Sequence, residues 1–294
     1  MQYEGVVYRP PSEADSLIIQ ASIGCAHNRC TFCNMYREKR FRIRKLDEIK
    51  QDIDWVVEHY PLEEVKSIFL ADGNTILMKT PQLAELMRYA HQSFPYLERI
   101  TIYGTSQYLV RKSLEEFKEL HAAGLSRVHC GMESGDDELL KKIKKGGSQE
   151  THIKGGLLVK NAGIELSMYY MPGLGGLEMW ENHARESAKV LSAVDPDFIR
   201  LRTFVPIAGT PIAEDYMAGK FKLMNAHEVI REIRLLIENL NNIHSLLLSD
   251  HWTNFVYLHG QFPEDKQRLL KEADEALSMP PDAFRNIGMT HGTL

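Results

Sequence analysis

The chain has 294 residues, 44% of them hydrophobic and 26% charged, with a formal net charge of −5, which gives no overall pull toward nucleic acid or an anionic membrane. No apolar run approaches the ~18 residues that span a bilayer, and the opening MQYEGVVYRPPSEADS has neither an apolar signal core nor a cationic amphipathic pattern. The expected compartment is the cytoplasm, where thiols stay reduced and clustered cysteines bind metal or do chemistry more often than they pair.

Strand-like and helix-like segments alternate along the chain. SLIIQAS (16–22) is rich in β-formers and runs into a loop, GCAHNRCTFCNMY, that holds three of the four cysteines. LDEIKQDIDWVVEHY (46–60) sets Ile49, Ile53, Val56 and Val57 at helical spacing. VKSIFLAD precedes the helix TPQLAELMRYAHQSF, and RITIYGT precedes SLEEFKELHAAG, which closes on Gly124. SRVHCGME is followed by the helices DDELLKKIKKG and SQETHIKGGLLVKNAG, IELSMYYMPG by EMWENHARESAKVLSAV, and DFIRLRTFVP supplies a sixth strand. Six β-then-α repeats without a hairpin signal predict an α/β fold with a parallel sheet.

The strand faces favour closure into a partial (β/α)6 TIM-type barrel. Ile199, Leu201 and Thr203 oppose Arg200 and Arg202, Ile164, Leu166 and Met168 oppose Glu165, Ser167 and Tyr169, and Leu17, Ile19 and Ala21 oppose Gln20 and Ser22. An apolar face under the helices leaves the polar face pointing inward, which suggests a wide, incompletely closed barrel with a cavity. The other reading is that these polar residues ion-pair with one another, Arg200 with Glu165 on the neighbouring strand. After Gly219 the pattern changes. NAHEVIREIRLLIENLNN carries a capping-box start at Asn225 and Glu228 and an apolar stripe, and PEDKQRLLKEADEAL is a second helix. The expected division is a barrel over 1–219 and a helical extension packed on it over 220–294.

Three cysteines cannot all pair, and the spacing Cys25-x4-Cys30-x2-Cys33 is that of a metal loop at the C-terminal mouth of the first strand. Structural zinc takes four protein ligands, and His27 lies awkwardly between two of the cysteines. A [4Fe-4S] cluster prefers thiolates, and three of them leave one iron open. Cys130, mid-strand, reads as a buried core residue rather than a fourth ligand. Structural zinc and non-enzymatic electron transfer remain the alternatives.

This arrangement resembles the radical S-adenosylmethionine (SAM) superfamily, where a three-cysteine motif after the first barrel strand, usually C-x3-C-x2-C with an aromatic before the third cysteine, holds such a cluster. Here that aromatic is Phe32, and the first gap is four residues rather than three. The likeness extends through roughly residues 15–215, chiefly to the elongator-like and methylthiotransferase-like branches. LADGNT (70–75) stands where the family has its glycine-rich turn for the SAM amino group, so Asp72, Gly73 and Asn74 inherit that place, although the usual double glycine is missing. GMESGDDELLKKIKKG implies ribose contact by Glu133 and Ser134 and contact of Lys145 with the SAM carboxylate. IELSMYYMPGLGG and RLRTFVPIAGTP match the ends of the fifth and sixth strands. The family's chemistry implies reductive cleavage of SAM to a 5′-deoxyadenosyl radical and hydrogen abstraction from a substrate, with an electron donor such as flavodoxin or ferredoxin as partner.

The substrate is expected to be a small or medium-sized anionic molecule. Modification of tRNA or a peptide is the alternative, and neither a second cluster nor a cobalamin domain is expected. Arg202, Tyr169 and His251 are the catalytic candidates, and Arg202, whose fork suits a carboxylate or phosphate, is also a candidate contact for SAM. Two further stretches invite a role. REKRFRIRK (37–45), with six basic residues, reads as a grip for phosphate, carboxylate or RNA, or as a half-buried strand with a basic face. SDHWTN (249–254), with Asp250, His251 and Asn254, reads as a lid or as a capped helix start.

Overall fold

A computed structural model describes residue 1, residues 3–285 and residues 288–290. In chain order its strands are β1 Leu17–Gln20, β2 Ser22–Ile23, β3 Arg42–Ile43, β4 Ser67–Ala71, β5 Arg99–Tyr103, β6 Leu125–Glu133, β7 Glu165–Tyr170, β8 Phe198–Leu201, β9 Leu246–Leu248 and β10 His259–Gln261. The α-helices are α1 Leu46–His59, α2 Thr80–Ser93, α3 Ser106–Leu109, α4 Leu114–Ala122, α5 Asp137–Lys142, α6 Gln149–Asn161, α7 Gly176–Val194, α8 Pro211–Met217, α9 Ala226–Asn239 and α10 Lys266–Ser278.

Eight strands follow the order β1-β4-β5-β6-β7-β8-β9-β10, and β2 and β3 form a separate antiparallel pair. The six predicted strands are all present. β1 runs parallel to β4 with Leu17 opposite Ile68, and β7 parallel to β8 with Ser167 opposite Phe198. By compactness the chain forms two units: residues 1–28, 36–130 and 155–166 in the first, and 29–35, 131–154 and 167–294 in the second.

In the first unit Ile19, Ile68, Leu70, Ile100, Ile102 and Val128 are buried, and α1 covers its sheet with Ile49, Ile53 and Val56. Glu13, Arg127 and His129 of this unit are buried as well, and they pair. His129 Nε2 lies 2.9 Å from Glu13 Oε1, Arg99 Nη2 lies 3.1 Å from Glu13 Oε2, and Arg127 Nη2 lies 2.7 Å from Glu165 Oε2. The expected Arg200–Glu165 pair is therefore replaced. Arg127, on β6 beside β7, reaches Glu165, and Arg200 pairs instead with Asp250, Nη1 to Oδ2, at 3.4 Å.

In the second unit one apolar cluster joins Phe32, Leu139, Leu140, Ile143, Met171, Leu174, Phe204, Ile212 and Phe221. The region 220–294 holds the two predicted helices but is not wholly helical. β9 continues the parallel sheet, Phe198 opposite Leu246, and β10 returns antiparallel with His259 opposite Leu248. Three leucines are too short a run to show a period of their own, and they become a strand because β8 offers a free edge. SDHWTN lies in the turn between β9 and β10, so the helix start expected there is absent. Its Asn254 is a clamp: Oδ1 accepts from Thr203 N at 2.8 Å and Thr203 Oγ1 at 2.9 Å, and Nδ2 donates to Leu201 O at 2.8 Å.

Candidate functional site

The first unit carries Cys25 and the DGN turn. Asp72, fully buried, does not leave its carboxylate open. Oδ2 accepts from Gly24 N at 3.0 Å and Gln20 Nε2 at 3.1 Å, and Lys39 Nζ lies 3.6 Å away. Tyr36 OH lies 3.5 Å from Oδ1, and Asp72 N donates to Ser22 Oγ at 3.1 Å. Burial pushes this carboxyl upward, and the Gly24 N–H and the Lys39 charge act against that. These bonds hold the start of the cysteine loop. Asn74, also buried, accepts from Thr105 N at 3.0 Å and Thr105 Oγ1 at 2.9 Å, leaving its Nδ2 3.5 Å from Cys25 Sγ. Gly73 lets the turn approach that cysteine. A Cβ there would meet Cys25 Cβ at 3.1 Å and Gly24 O at 3.2 Å.

The basic run resolves into pairs. Arg44 meets Asp52 at 2.6 Å in a largely buried contact, Arg42 meets Glu4 at 2.6 Å on the surface, and Lys39 faces Asp72. Residues 42 and 43 form β3, in keeping with the strand reading. Cys130 is 1% exposed with its sulfur 3.5 Å from Ser106 Oγ, the buried core position expected.

The second unit carries the other two cysteines. Cys30 and Cys33 are partly buried against the Phe32 cluster, and Thr31 N donates to Ile143 O at 2.9 Å, tying the loop to the end of α5. Glu133 ends β6 in the left-handed region, φ 63°, and its Oε1 accepts from Lys145 Nζ at 2.8 Å. Lys145 Nζ also stands 5.8 Å from the centroid of the Phe32 ring, so the structure brings together three predicted residues. Ser134 is buried and bonds locally, its Oγ accepting from Asp136 N at 3.0 Å. Arg202 follows β8 directly, its N–H donating to Tyr170 O at 3.0 Å, and Tyr169 sits half-buried on β7. His251 Nδ1 lies 2.8 Å from Thr253 Oγ1 and accepts from Thr253 N at 3.3 Å. Burial and the Arg202 charge hold this imidazole down at about 4, with Asp250 acting in the opposite direction.

Sequence reasoning missed a buried group around Glu232 of α9. Glu232, Tyr170 and His183 are each 0% exposed. Tyr170 OH donates to Glu232 Oε1 at 2.5 Å, and Gly173 N lies 3.2 and 3.1 Å from its two oxygens. His183 Nδ1 is 3.1 Å from Glu232 Oε1, an ion-pair distance off the hydrogen-bond direction, and its Nε2 lies 3.1 Å from Glu133 O. The one local signal was a charge inside the apolar stripe of α9.

The sequence matches the profile of the Radical SAM superfamily over residues 19–186. The chain belongs to the radical SAM superfamily. It is 31% identical over 123 residues to the tRNA uridine(34) acetyltransferase of Methanocaldococcus infernus, which covers 41% of this chain and 23% of that protein. This radical SAM chain thus spans under a quarter of that relative. Among solved structures it resembles the radical S-adenosylmethionine methyltransferase TsrM of Kitasatospora setae, solved with cobalamin and a [4Fe-4S] cluster. That likeness has 20% identity and TM-score 0.56, and it covers 91% of this chain and 53% of the other. A second likeness is to HemN of Escherichia coli, a coproporphyrinogen III oxidase and radical SAM enzyme, with 16% identity, TM-score 0.54, and 76% and 52% covered. These likenesses show the fold, the α/β partial barrel expected. The protein is a radical SAM enzyme whose cofactors are a [4Fe-4S] cluster and SAM.

The donor chemistry fits the cluster: three reduced, half-buried thiols in one loop, one of them beside an amide N–H. Among the described residues no three His, Cys, Asp or Glu side chains are drawn together as a metal site. No helix of the described residues is long and apolar enough to cross a membrane.

Proposed function

We propose that Cys25, Cys30 and Cys33 hold the cluster with one iron open, and that this enzyme abstracts hydrogen from a small or medium-sized anionic molecule in the cytoplasm. The observation that carries the ligand assignment is the position of the fourth cysteine, Cys130, which lies in the core beside Ser106 and leaves three thiols for the cluster. The cluster and SAM together supply a 5′-deoxyadenosyl radical, and an electron carrier of the flavodoxin or ferredoxin kind supplies the electron. The protein's own part is placement. Asp72 fixes the loop at Gly24, Asn74 aims an N–H at the Cys25 sulfur, and the Glu133–Lys145 pair beside Phe32 offers a carboxylate to a ribose and a cation to a carboxylate. Arg200 and Arg202 at the end of β8, with Asp250 paired to Arg200 alone, support an anionic substrate.

After anaerobic reconstitution about four irons per chain are expected. Cys25→Ala, Cys30→Ala and Cys33→Ala should each lose them, and Cys130→Ala should keep them. Equal loss in Cys130→Ala would overturn the open iron. The second reading, a modifier of tRNA, is favoured by the relative that acts on tRNA uridine 34. Gel-shift binding of bulk tRNA at physiological salt, absent with a small-molecule substrate reading, separates the two.

A further inference from the structure

Arg202 Nε and Nη2 are both buried and have no hydrogen-bond partner among the described residues. Those two nitrogens are not an arbitrary pair. They form the lateral fork of the guanidinium, whose parallel N–H groups match two oxygens of one carboxylate or phosphate. A buried guanidinium with both arms of that fork idle loses solvation without recovering it, so the fold holds it for a partner that carries the oxygens. Among the described residues no carboxylate takes that place. Asp250, next to His251 in sequence, is bonded to Arg200, and Arg200 itself keeps a buried Nε without a hydrogen-bond partner among the described residues.

His251 adds a second donor. Thr253 N–H donates to its Nδ1, which makes Nδ1 the acceptor and leaves the ring proton on Nε2 as a free donor. Its segment is held rigidly, because Asn254 is bonded to Thr203 N, Thr203 Oγ1 and Leu201 O on either side of Arg202. A cation and a neutral donor are thus fixed on two neighbouring segments of the second unit, and the Arg202 charge is felt at His251.

We propose that Arg202 and His251 form a subsite for an oxyanion group of the substrate, Arg202 gripping two of its oxygens through Nε and Nη2 and His251 donating through Nε2. The subsite rests on the reading that the substrate is anionic, and it assigns Arg202 to substrate rather than to the SAM carboxylate. Lys145, already beside Glu133, is the cation left for SAM.

The test uses the reconstituted, SAM-loaded protein and three probes: inorganic phosphate, sulfate and acetate. Their apparent dissociation constants are read from the stabilisation each gives against urea. At least one probe should bind the wild type, phosphate and sulfate marking a phosphate group and acetate a carboxylate. Arg202→Gln should weaken that binding about tenfold or more, the worth of a charge-assisted hydrogen bond. Arg202→Lys should fall between, since it keeps the charge and loses the fork, and His251→Gln should weaken binding severalfold. If Arg202→Gln does not fold, the His251→Gln comparison decides alone. Equal affinities in variant and wild type, or no probe bound by the wild type, overturn the subsite. A drop in SAM affinity in Arg202→Gln with anion binding intact also overturns it. Wild-type protein that binds phosphate but cleaves no SAM would sink the proposed reaction and leave the subsite standing.

Discussion

Gly73 and Gly131 are both close to proposed ligand groups, and their surroundings differ in kind. A Cβ at Gly73 presses on Cys25 Cβ and on the Gly24 carbonyl, atoms that cannot rotate away, whereas at Gly131 its nearest neighbours are the far ends of the Glu133 and Lys145 side chains. Gly73→Ala is therefore expected to cost about 1 kcal/mol and lower the iron content. Gly131→Ala is expected to stay within about 0.5 kcal/mol of wild type but to weaken SAM binding, because its strain is relieved by moving the Glu133 carboxylate. Iron analysis and a SAM titration check both; unchanged SAM affinity in Gly131→Ala would remove Glu133 from the cofactor's contacts. What was legible at this scale was local. The cysteine spacing and Phe32 lie within nine positions of one another, and strand alternation singled out Arg202. The bonds of Asp72 to Gln20 and Gly24 span 52 and 48 positions, and no local pattern carries such pairings.

The elements read best were those with a period to show. α9 combines a capping box with Ile230, Ile233, Leu236 and Ile237 buried on one stripe, and its start matches the expected residue. α3, of four residues, and β9, of three, were not foreseen, since both are shorter than any window in which a period can be counted. Both depend on what they pack against. β9 and the turn after it are fastened to β8 at its far end by Asn254. Asn254→Ala should accordingly cost about 2–3 kcal/mol, because it strands the buried Leu201 carbonyl and Thr203 N–H. Trp252→Ala in the same turn, at a side chain 53% exposed, should change stability by about 0.5 kcal/mol or less. Urea denaturation distinguishes these outcomes, and equal effects would mean that the turn is held by its apolar surface instead.

Across the whole molecule, buried ionisable groups set a common response to acid. Burial, and secondarily the Lys145 charge, hold His152 at about 3, and His251 stands at about 4. The unfolded chain takes up protons at both near 6.5 while the folded chain does not, so stability is lost as pH falls through that region. Between pH 7 and 5 each imidazole should remove about 2 kcal/mol, and His152→Gln should remove about half of the combined loss. A flat profile in the wild type would mean that both rings are protonated in the folded protein. Further into acid Glu13 adds to the trend. Burial would raise it, but hydrogen bonds from His129 and Ser16 and the His129 and Arg99 charges outweigh that and hold it at about 2, so its contribution is lost from 4.5 downward. The same economy of buried charge bears on how the protein can be divided. Glu232 lies beyond Gly219, yet it is the acceptor for the Tyr170 hydroxyl and the Gly173 amide at the end of β7. A barrel excised at residue 219 for transplantation or minimal design would carry both donors into its interior without their carboxylate, so the extension is a structural component of the strand end and not a detachable module.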